Sequence, residues 1–233
     1  MRFAALVFIW LTASISFSCQ TSTEQTSAET DSPTVETKTA TEEETDKPVI
    51  LFFGNSLTAG YGLDPSEAFS AVIERKLDSL SLDYQVVNAG LSGETTASGN
   101  TRLDWVLERQ PVDIFVLELG ANDGLRGISP EETRKNLSAM INKVQATYPE
   151  AQIILSGMMV PPNMGPEYAA EFQKIFPEVA DNQEVALIPF LLEGVAGEPE
   201  LNLPDGIHPT AEGQQIVANN IWGVLYPLLE TES

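Results

Sequence analysis

From about residue 48 onward, short apolar runs alternate with segments that repeat apolar residues at helical spacing. Short and almost wholly apolar strands are typical of a parallel sheet that is covered on both faces. The pattern therefore predicts an α/β fold: a doubly wound, flavodoxin-like, five-stranded parallel sheet with helices on both faces. The predicted strands are Val49 to Phe53, Tyr84 to Val87, Val112 to Leu119, Gln152 to Leu155 and Val185 to Phe190. The predicted helices are Pro65 to Leu80, Thr96 to Arg109, Pro130 to Tyr148, Glu167 to Val179 and Thr210 to Leu229.

Polar, glycine-rich loops follow the first three predicted strands, in residues 54–62, 88–95 and 119–124. Tight turns out of buried strands explain each glycine taken alone. In open α/β sheets, however, ligands bind beyond the carboxyl ends of the strands. We therefore expect the chemistry of the protein to lie in these three loops.

The first nineteen residues have the features of a signal peptide. Arg2 provides a positive start, and the apolar run from Phe3 to Leu11 is too short to span a bilayer, which takes about twenty residues. Cys19, the only cysteine of the sequence, follows this run and resembles the cysteine of a bacterial lipobox, although Ser16 stands where lipoboxes usually carry Leu. Two acyl chains on Cys19 would give stable anchoring. The alternative is an incidental cysteine that is lost on cleavage.

Residues 20–47 contain eight acidic residues, two lysines and almost no large apolar side chain. Such a segment buries too little surface to offset its ordering entropy, so we predict a disordered tether. Residues 48–233 then form one domain. They carry a formal charge of −17, which is the total of −22 less the −6 of the tether and the +1 of Arg2. A surface of this charge disfavours nucleic acid and other anionic partners. We expect an exported lipoprotein, membrane-anchored on the periplasmic or cell-surface side.

The sequence has one histidine, His208, in the segment Asp205-Gly206-Ile207-His208-Pro209. If acyl transfer uses a histidine base here, it must be this one, and Asp205 can fold back to orient the imidazole. The alternative is that Asp205 and Gly206 form a turn and that His208 only precedes the last helix. A single histidine argues against a catalytic zinc site, which usually needs two or three imidazoles. We expect neither a metal nor a cofactor.

Four segments together resemble the signature segments of the GDSL/SGNH hydrolases, in the order and at the spacing of that family. The region from Leu117 to Gly127 is particularly similar to the bacterial multifunctional esterases with thioesterase, arylesterase and lysophospholipase activity. The similarity covers nearly all of residues 48–229. The four segments are Gly54-Asn55-Ser56-Leu57, Gly93, Gly120-Ala121-Asn122-Asp123 and Asp205-Gly206-Ile207-His208-Pro209.

This resemblance implies an SGNH-type fold and a serine hydrolase. It assigns Ser56 as the nucleophile, His208 as the general base and then acid, and Asp205 as its orienting partner. The oxyanion hole would comprise the backbone N–H groups of Ser56 and Gly93 and the side-chain amide of Asn122. One departure is Asn55, where the family usually has Asp, and it removes no member of the triad. Glu94 and Asp123 are interpreted as turn residues or solvated charges, and Glu118 as a partly buried structural residue.

The segment after the fourth strand is a candidate acyl pocket. It carries three methionines in residues 158–164, and methionines give an adaptable apolar surface. The candidate residues are Met158, Val160 and Met164; the alternative is that their side chains fill the core beneath a loop.

The expected substrates are small-molecule or lipid esters: aryl esters, short or medium acyl esters and lysophospholipids, with thioesters less favoured by the acidic surface. One alternative is a carbohydrate O-deacetylase on the same fold. An alternative of another class is a catalytically silent binding lipoprotein, against which the presence of every expected site residue argues.

Overall fold

The computed structural model describes residues 47–229. The predictions made for the signal peptide, for Cys19 and for the tether up to residue 46 lie outside the described residues.

Five parallel strands form one sheet in the order β2-β1-β3-β4-β5. This arrangement confirms the predicted fold class. The two central strands, β1 and β3, are buried along their whole length, and the sheet places the loop after β1 between those after β2 and β3. The strands are β1 (Val49–Gly54), β2 (Gln85–Gly90), β3 (Ile114–Glu118), β4 (Gln152–Ser156) and β5 (Ala186–Ile188).

The helices divide into two groups. Helices α3, α5 and α6 pack against one another in sequence, whereas α2 packs against α7. Right-handed crossovers from a strand order of this kind place the two groups on opposite faces of the sheet. The α-helices are α1 (Ser56–Ala59), α2 (Phe69–Ser79), α3 (Thr96–Leu107), α4 (Ala121–Leu125), α5 (Pro130–Thr147), α6 (Pro166–Gln183) and α7 (Ala211–Leu229). Short 3₁₀ turns occur at Pro65–Glu67, Pro162–Met164 and Pro199–Leu201.

Several predicted boundaries were wrong. Strand β2 continues to Gly90 because its polar and small residues still pair with Phe52 to Gly54 of β1. Strand β5 ends at Ile188, directly before Pro189, which has no N–H to donate to a neighbouring strand. Helix α6 runs on past Val179 to Gln183.

The helix predicted from Pro65 to Leu80 is interrupted. Asp64 caps a separate 3₁₀ turn, and Ala68 then adopts an extended conformation before α2 starts at Phe69. The backbone N–H of Phe69 donates to the buried side chain of Gln214 on α7, at 2.9 Å. The short helices α1 and α4 were predicted as loops.

The core lies on both faces of the sheet and includes large, fully buried side chains such as Phe52, Phe53, Phe115, Phe172 and Phe176. Among the helices within residues 47–229, none has the length and apolar character that crossing a bilayer requires.

Candidate active site

The predicted nucleophile lies at the first turn of a helix, directly after the central strand β1. Ser56 is the first residue of α1, and Asn55 is the N-cap, whose Oδ1 accepts from the backbone N–H of Leu57 at 3.0 Å. A helix start leaves N–H groups without intrahelical acceptors. Ser56 is half-buried, while its neighbours Asn55 and Leu57 are buried. The turn therefore presents one hydroxyl at the sheet edge while its flanking residues remain in the core.

Ser56, His208 and Asp205 are in direct contact, although Ser56 and His208 are 152 positions apart in the sequence. The Oγ of Ser56 lies 2.8 Å from Nε2 of His208, and Nδ1 of His208 lies 2.7 Å from Oδ2 of Asp205. Because a carboxylate only accepts hydrogen bonds, the imidazole proton belongs on Nδ1, which leaves Nε2 free to accept from Ser56. The structure thus brings together the three residues that the sequence predicted as a triad.

The Asp205 carboxylate also organises the loop that carries the histidine. Its Oδ1 accepts from the backbone N–H groups of Ile207 and His208, at 2.9 and 3.1 Å. The hydrogen bond from the His208 side chain, followed by those two backbone donors, lowers the pKa of Asp205 to about 2. Asp205 is therefore ionised at every pH at which an esterase is normally assayed, and it holds the imidazole in one tautomer.

The three predicted oxyanion donors lie in the loops at the same edge of the sheet. Within residues 47–229, the backbone N–H groups of Ser56 and Gly93 have no acceptor. Gly93 adopts a φ of +81°, a conformation that side-chain-bearing residues rarely take. Asn122 lies in the first turn of α4, and its Nδ2 donates one hydrogen to the carbonyl of Glu94 at 3.0 Å. An amide has two such hydrogens, so one remains for a ligand.

Glu118, at the end of β3, is fully buried beneath the nucleophile turn, not partly buried as the sequence suggested. Its carboxylate accepts from the backbone N–H groups of Asn55 and Thr58, from the Asn55 side chain and from the Thr58 hydroxyl. Burial raises the pKa of Glu118 to about 7, and these hydrogen bonds oppose the rise. A Cβ at position 54 would overlap this carboxylate, which explains the glycine there. Asn55, which stands where the family usually has Asp, thus has a defined role in this network: its side-chain amide donates to Glu118.

Glu94 and Asp123 are also buried, so their interpretation as solvated charges was wrong. Glu94 forms a salt bridge with Arg102 of α3 at 2.6 Å. Asp123 accepts from the backbone N–H and the hydroxyl of Thr96. The Glu94 carboxylate thus ties the loop that carries Gly93 to α3, and the Asp123 carboxylate ties the turn that carries Asn122 to the start of α3. Their partners lie 8 to 27 positions away in the sequence, so no local motif reveals them.

The three acyl-pocket candidates have different environments. Met158 is only 3% exposed and belongs to the hydrophobic core, so the prediction that it lines an open groove was wrong for this residue. Val160 is half-buried and lies against Gly124 of α4. Met164 is half-buried and extends towards Gly127, just after α4. Val160 and Met164 thus remain candidates, since both lie beside the segment that follows Asn122.

Sequence reasoning missed Tyr61, whose ring centroid lies 4.5 Å from that of His208. Tyr61 is 51% exposed, so it covers one face of the imidazole while remaining open to a ligand. Only its position in the loop after β1 could have indicated this contact. Across residues 47–229, no three His, Cys, Asp or Glu side chains converge in a way that could hold a metal ion.

Comparisons with known proteins show the family to which the chain is similar. Residues 52–216 match the model of the GDSL-like lipase/acylhydrolase family. The chain is 41% identical to esterase TesA of Pseudomonas aeruginosa over 180 residues, which cover 77% of this chain and 89% of that protein. It is 35% identical to thioesterase 1/protease 1/lysophospholipase L1 of Escherichia coli over 184 residues, 79% of this chain and 86% of that one.

A solved structure of the psychrotrophic esterase EstA from Pseudoalteromonas, inhibited by monoethylphosphonate, superposes with a TM-score of 0.74. The identity is 32%, and the match covers 79% of this chain and all of that one. The residues matched by the family model include both the turn of Ser56 and the segment of His208. The chain therefore belongs to the GDSL-like lipase/acylhydrolase family.

Proposed function

We propose that this carboxylic ester hydrolase acts through Ser56 as nucleophile, His208 as general base and then acid, and Asp205 as the residue that orients His208. The observation that carries the proposal is the continuous hydrogen-bonded chain from Ser56 Oγ through the imidazole to the Asp205 carboxylate, with contacts of 2.8 and 2.7 Å. A nucleophile bonded to a base that is itself oriented by a third group is the arrangement that activates a hydroxyl.

In the first half of the reaction, Ser56 Oγ attacks the ester carbonyl carbon and its proton passes to Nε2 of His208. The tetrahedral intermediate collapses when the C–O bond to the alcohol breaks, and His208 protonates the leaving oxygen. Water then attacks the acyl-serine and gives its proton to Nε2. The acid is released as Ser56 recovers a proton from His208.

We assign the oxyanion hole to the backbone N–H groups of Ser56 and Gly93 and to the free hydrogen of Asn122 Nδ2. All three donors are uncharged, so their burial in the site does not require water to be removed from a charged group. Preorganised donors of this kind stabilise the developing negative oxygen, and each contributes on the order of 3 kcal/mol in comparable sites. The salt bridge of Glu94 with Arg102 and the bonds of Asp123 to Thr96 support the two loops that carry Gly93 and Asn122.

Aryl esters, short and medium acyl esters and lysophospholipids are the substrates that we propose, with thioesters as a weaker class. The thioesterase and lysophospholipase named in the relative from Escherichia coli support the lipid and thioester classes. Exposed apolar side chains occur on the loops around the site, which suits an acyl or aryl group. Three of them are Tyr61, Leu91 and Ile207.

The test is a panel of p-nitrophenyl acyl esters, lysophosphatidylcholine and acetylated xylan, assayed on the wild type and on Ser56→Ala. We expect hydrolysis of the first two classes by the wild type and loss of all of it in Ser56→Ala. Ser66→Ala is a matched control, because Ser66 lies in an exposed 3₁₀ turn. Preference for acetylated xylan would favour a carbohydrate deacetylase. Activity retained in Ser56→Ala would overturn the proposed nucleophile.

From residues 1–47 we further propose that the protein is exported and anchored to a membrane by a lipid on Cys19, with a disordered acidic tether between anchor and enzyme. The support is the apolar run that precedes a lone cysteine, followed by a segment rich in Ser, Thr and Glu. The wild type should partition into detergent after phase separation, and Cys19→Ser should remain in the aqueous phase. Equal partitioning of the two proteins would contradict the anchor.

A further inference from the structure

Tyr61 is held between the two segments that carry the triad. Its backbone N–H donates to the carbonyl of Ser56 at 3.0 Å, just after the end of α1. The next residue, Gly62, lies against the loop of the triad histidine: a Cβ at position 62 would be only 2.8 Å from the Leu203 side chain. The position of Tyr61 is therefore fixed by the nucleophile turn on one side and by the histidine loop on the other.

The side chain of Tyr61 lies on the imidazole of His208 and is still half open to solvent. The two ring planes are inclined by 37°, so the contact is a tilted stack. Within residues 47–229 the Tyr61 hydroxyl has no hydrogen-bond partner, whereas the hydroxyls of Tyr148 and Tyr168 donate to backbone carbonyls. Tyr61 thus offers the apolar surface of its ring to a ligand, directly beside the general base.

The reaction brings the leaving group of the ester next to this ring. His208 Nε2 protonates the leaving oxygen, so that oxygen must come within about 2.6–3.2 Å of Nε2. The carbonyl oxygen is held elsewhere, by the proposed oxyanion donors, two of which lie on the loops after β2 and β3. The substituent on the leaving oxygen therefore extends from the edge of the imidazole, where Tyr61 supplies an aromatic face. Val160 and Met164, the remaining acyl-pocket candidates, lie instead beside α4.

We propose that Tyr61 determines specificity for the leaving group: its ring stacks against the ring of an aryl or arylmethyl ester and favours such esters over alkyl esters of the same acid. The inference rests on the proposed roles of Ser56 and His208. Paired aromatic rings gain more than the burial of their area, by amounts that correspond to about two- to tenfold in rate. A saturated ring of similar size has no π-system and gains only the burial. Tyr61 therefore acts on the alcohol side of the ester.

Benzyl butyrate and cyclohexylmethyl butyrate are matched substrates, because they share the acyl group and differ in whether the ring of the alcohol is aromatic. The experiment measures the ratio of kcat/KM for the benzyl ester to kcat/KM for the cyclohexylmethyl ester. This ratio should fall about two- to tenfold in Tyr61→Leu and keep its wild-type value in Tyr61→Phe, which retains the ring. Trp105→Leu is the control and should also keep the wild-type ratio, because the exposed ring of Trp105 on α3 lies against Arg109 and not against the triad.

A residue that only holds His208 in place would give a different result. Tyr61→Leu would then lower kcat/KM for both esters by the same factor, and the unchanged ratio would overturn the inference. An equal fall of the ratio in Tyr61→Phe and Tyr61→Leu would also overturn it, because the hydroxyl and not the ring would then be responsible. Ser56→Ala, assayed in parallel, distinguishes the two claims. Activity in Ser56→Ala defeats the proposed function, whereas an inactive Ser56→Ala with an unchanged ratio in Tyr61→Leu defeats only the stacking.

Alcoholysis of the acyl-enzyme tests the same contact in the reverse direction and needs little activity. With p-nitrophenyl butyrate as acyl donor, benzyl alcohol and cyclohexylmethanol compete for the acyl-serine. The alcohol oxygen attacks the acyl carbon and its proton passes to Nε2 of His208; the bond to Ser56 Oγ then breaks as Oγ takes up that proton. At equal alcohol concentrations, the ratio of benzyl to cyclohexylmethyl butyrate formed should fall in Tyr61→Leu by the same factor as the kcat/KM ratio. Equal product ratios in wild type and Tyr61→Leu would overturn the proposed stacking.

Discussion

The turn that carries Ser56 and the loop that carries His208 and Asp205 are held in place by different kinds of contact. The nucleophile turn, residues 55–58, is fixed by a buried carboxylate about 60 positions away in the sequence, on β3. The histidine loop, residues 202–209, is fixed mostly by itself: Asp205 accepts from its own loop, and Leu203 N–H donates to the His208 carbonyl at 2.7 Å. Asp205 is exposed, whereas Glu118 is not. Activity and stability should therefore be coupled in the turn and separable in the loop.

The largest effect is expected in the histidine loop. Asp205→Asn should lower kcat by roughly 10³- to 10⁴-fold, because an amide can donate as well as accept and no longer holds the imidazole in the productive tautomer. The exposed position and the local bonds of the loop should leave the urea unfolding midpoint nearly unchanged. If Asp205→Asn lowered the urea unfolding midpoint as well as kcat, activity and stability would not be separable in the histidine loop.

In the nucleophile turn, by contrast, the buried carboxylate should contribute to the stability of the fold, and this contribution should depend on pH. The folded state raises the pKa of Glu118 from 4.5 to about 7, so between these values the folded protein holds a proton that the unfolded chain releases. The stability contributed by Glu118 is thus present below about pH 4.5 and falls as the pH rises to about 7, by on the order of 3 kcal/mol.

The measurement is urea unfolding of the wild type and of Glu118→Gln between these two pH values. Relative to the variant, the wild type should lose stability across the window. Asp205 is the contrasting group, since its pKa is lowered and its contribution is lost only as the pH falls from about 4 towards about 2. An identical pH dependence in wild type and Glu118→Gln would contradict the coupling of the buried carboxylate to folding.

The smallest effect is expected at Met164, which belongs to neither region. If Met164 walls an acyl groove, each buried methylene should contribute about 0.8 kcal/mol, close to fourfold in kcat/KM, until the groove is full. In a series of p-nitrophenyl esters, Met164→Ser should weaken the increase of kcat/KM with acyl-chain length while leaving acetate esters nearly unaffected. Parallel chain-length curves in the two proteins would remove Met164 from the binding site.

The sequence predicted the parts of the molecule that depend on periodicity or on a unique residue. All five strands followed from apolar runs, and the single histidine left one choice for a base, His208. Short helices such as α1 were missed because a turn of four residues has no detectable period. The buried carboxylates were missed for a different reason. An acidic residue in a polar loop gives no sign of burial until its distant partners, such as Arg102 for Glu94, are brought together.

Met158 shows the same limit for apolar residues. Three methionines after β4 indicated an adaptable surface, yet only the packed structure separates the core residue Met158 from the exposed Met159. The distinction depends on which way each side chain points after the strand has ended, and alternation no longer predicts that direction.

The most direct test of the triad is stoichiometric labelling with an organophosphonate, followed by peptide mass spectrometry. We expect one phosphonyl group per molecule, carried by Ser56, and inactivation in proportion to labelling, because Ser56 Oγ is the hydroxyl hydrogen-bonded to His208. Iodoacetamide should leave activity unchanged, since the only thiol is Cys19, outside the predicted enzyme domain. A label on any other residue, together with full activity in Ser56→Ala, would contradict the assignment of the nucleophile.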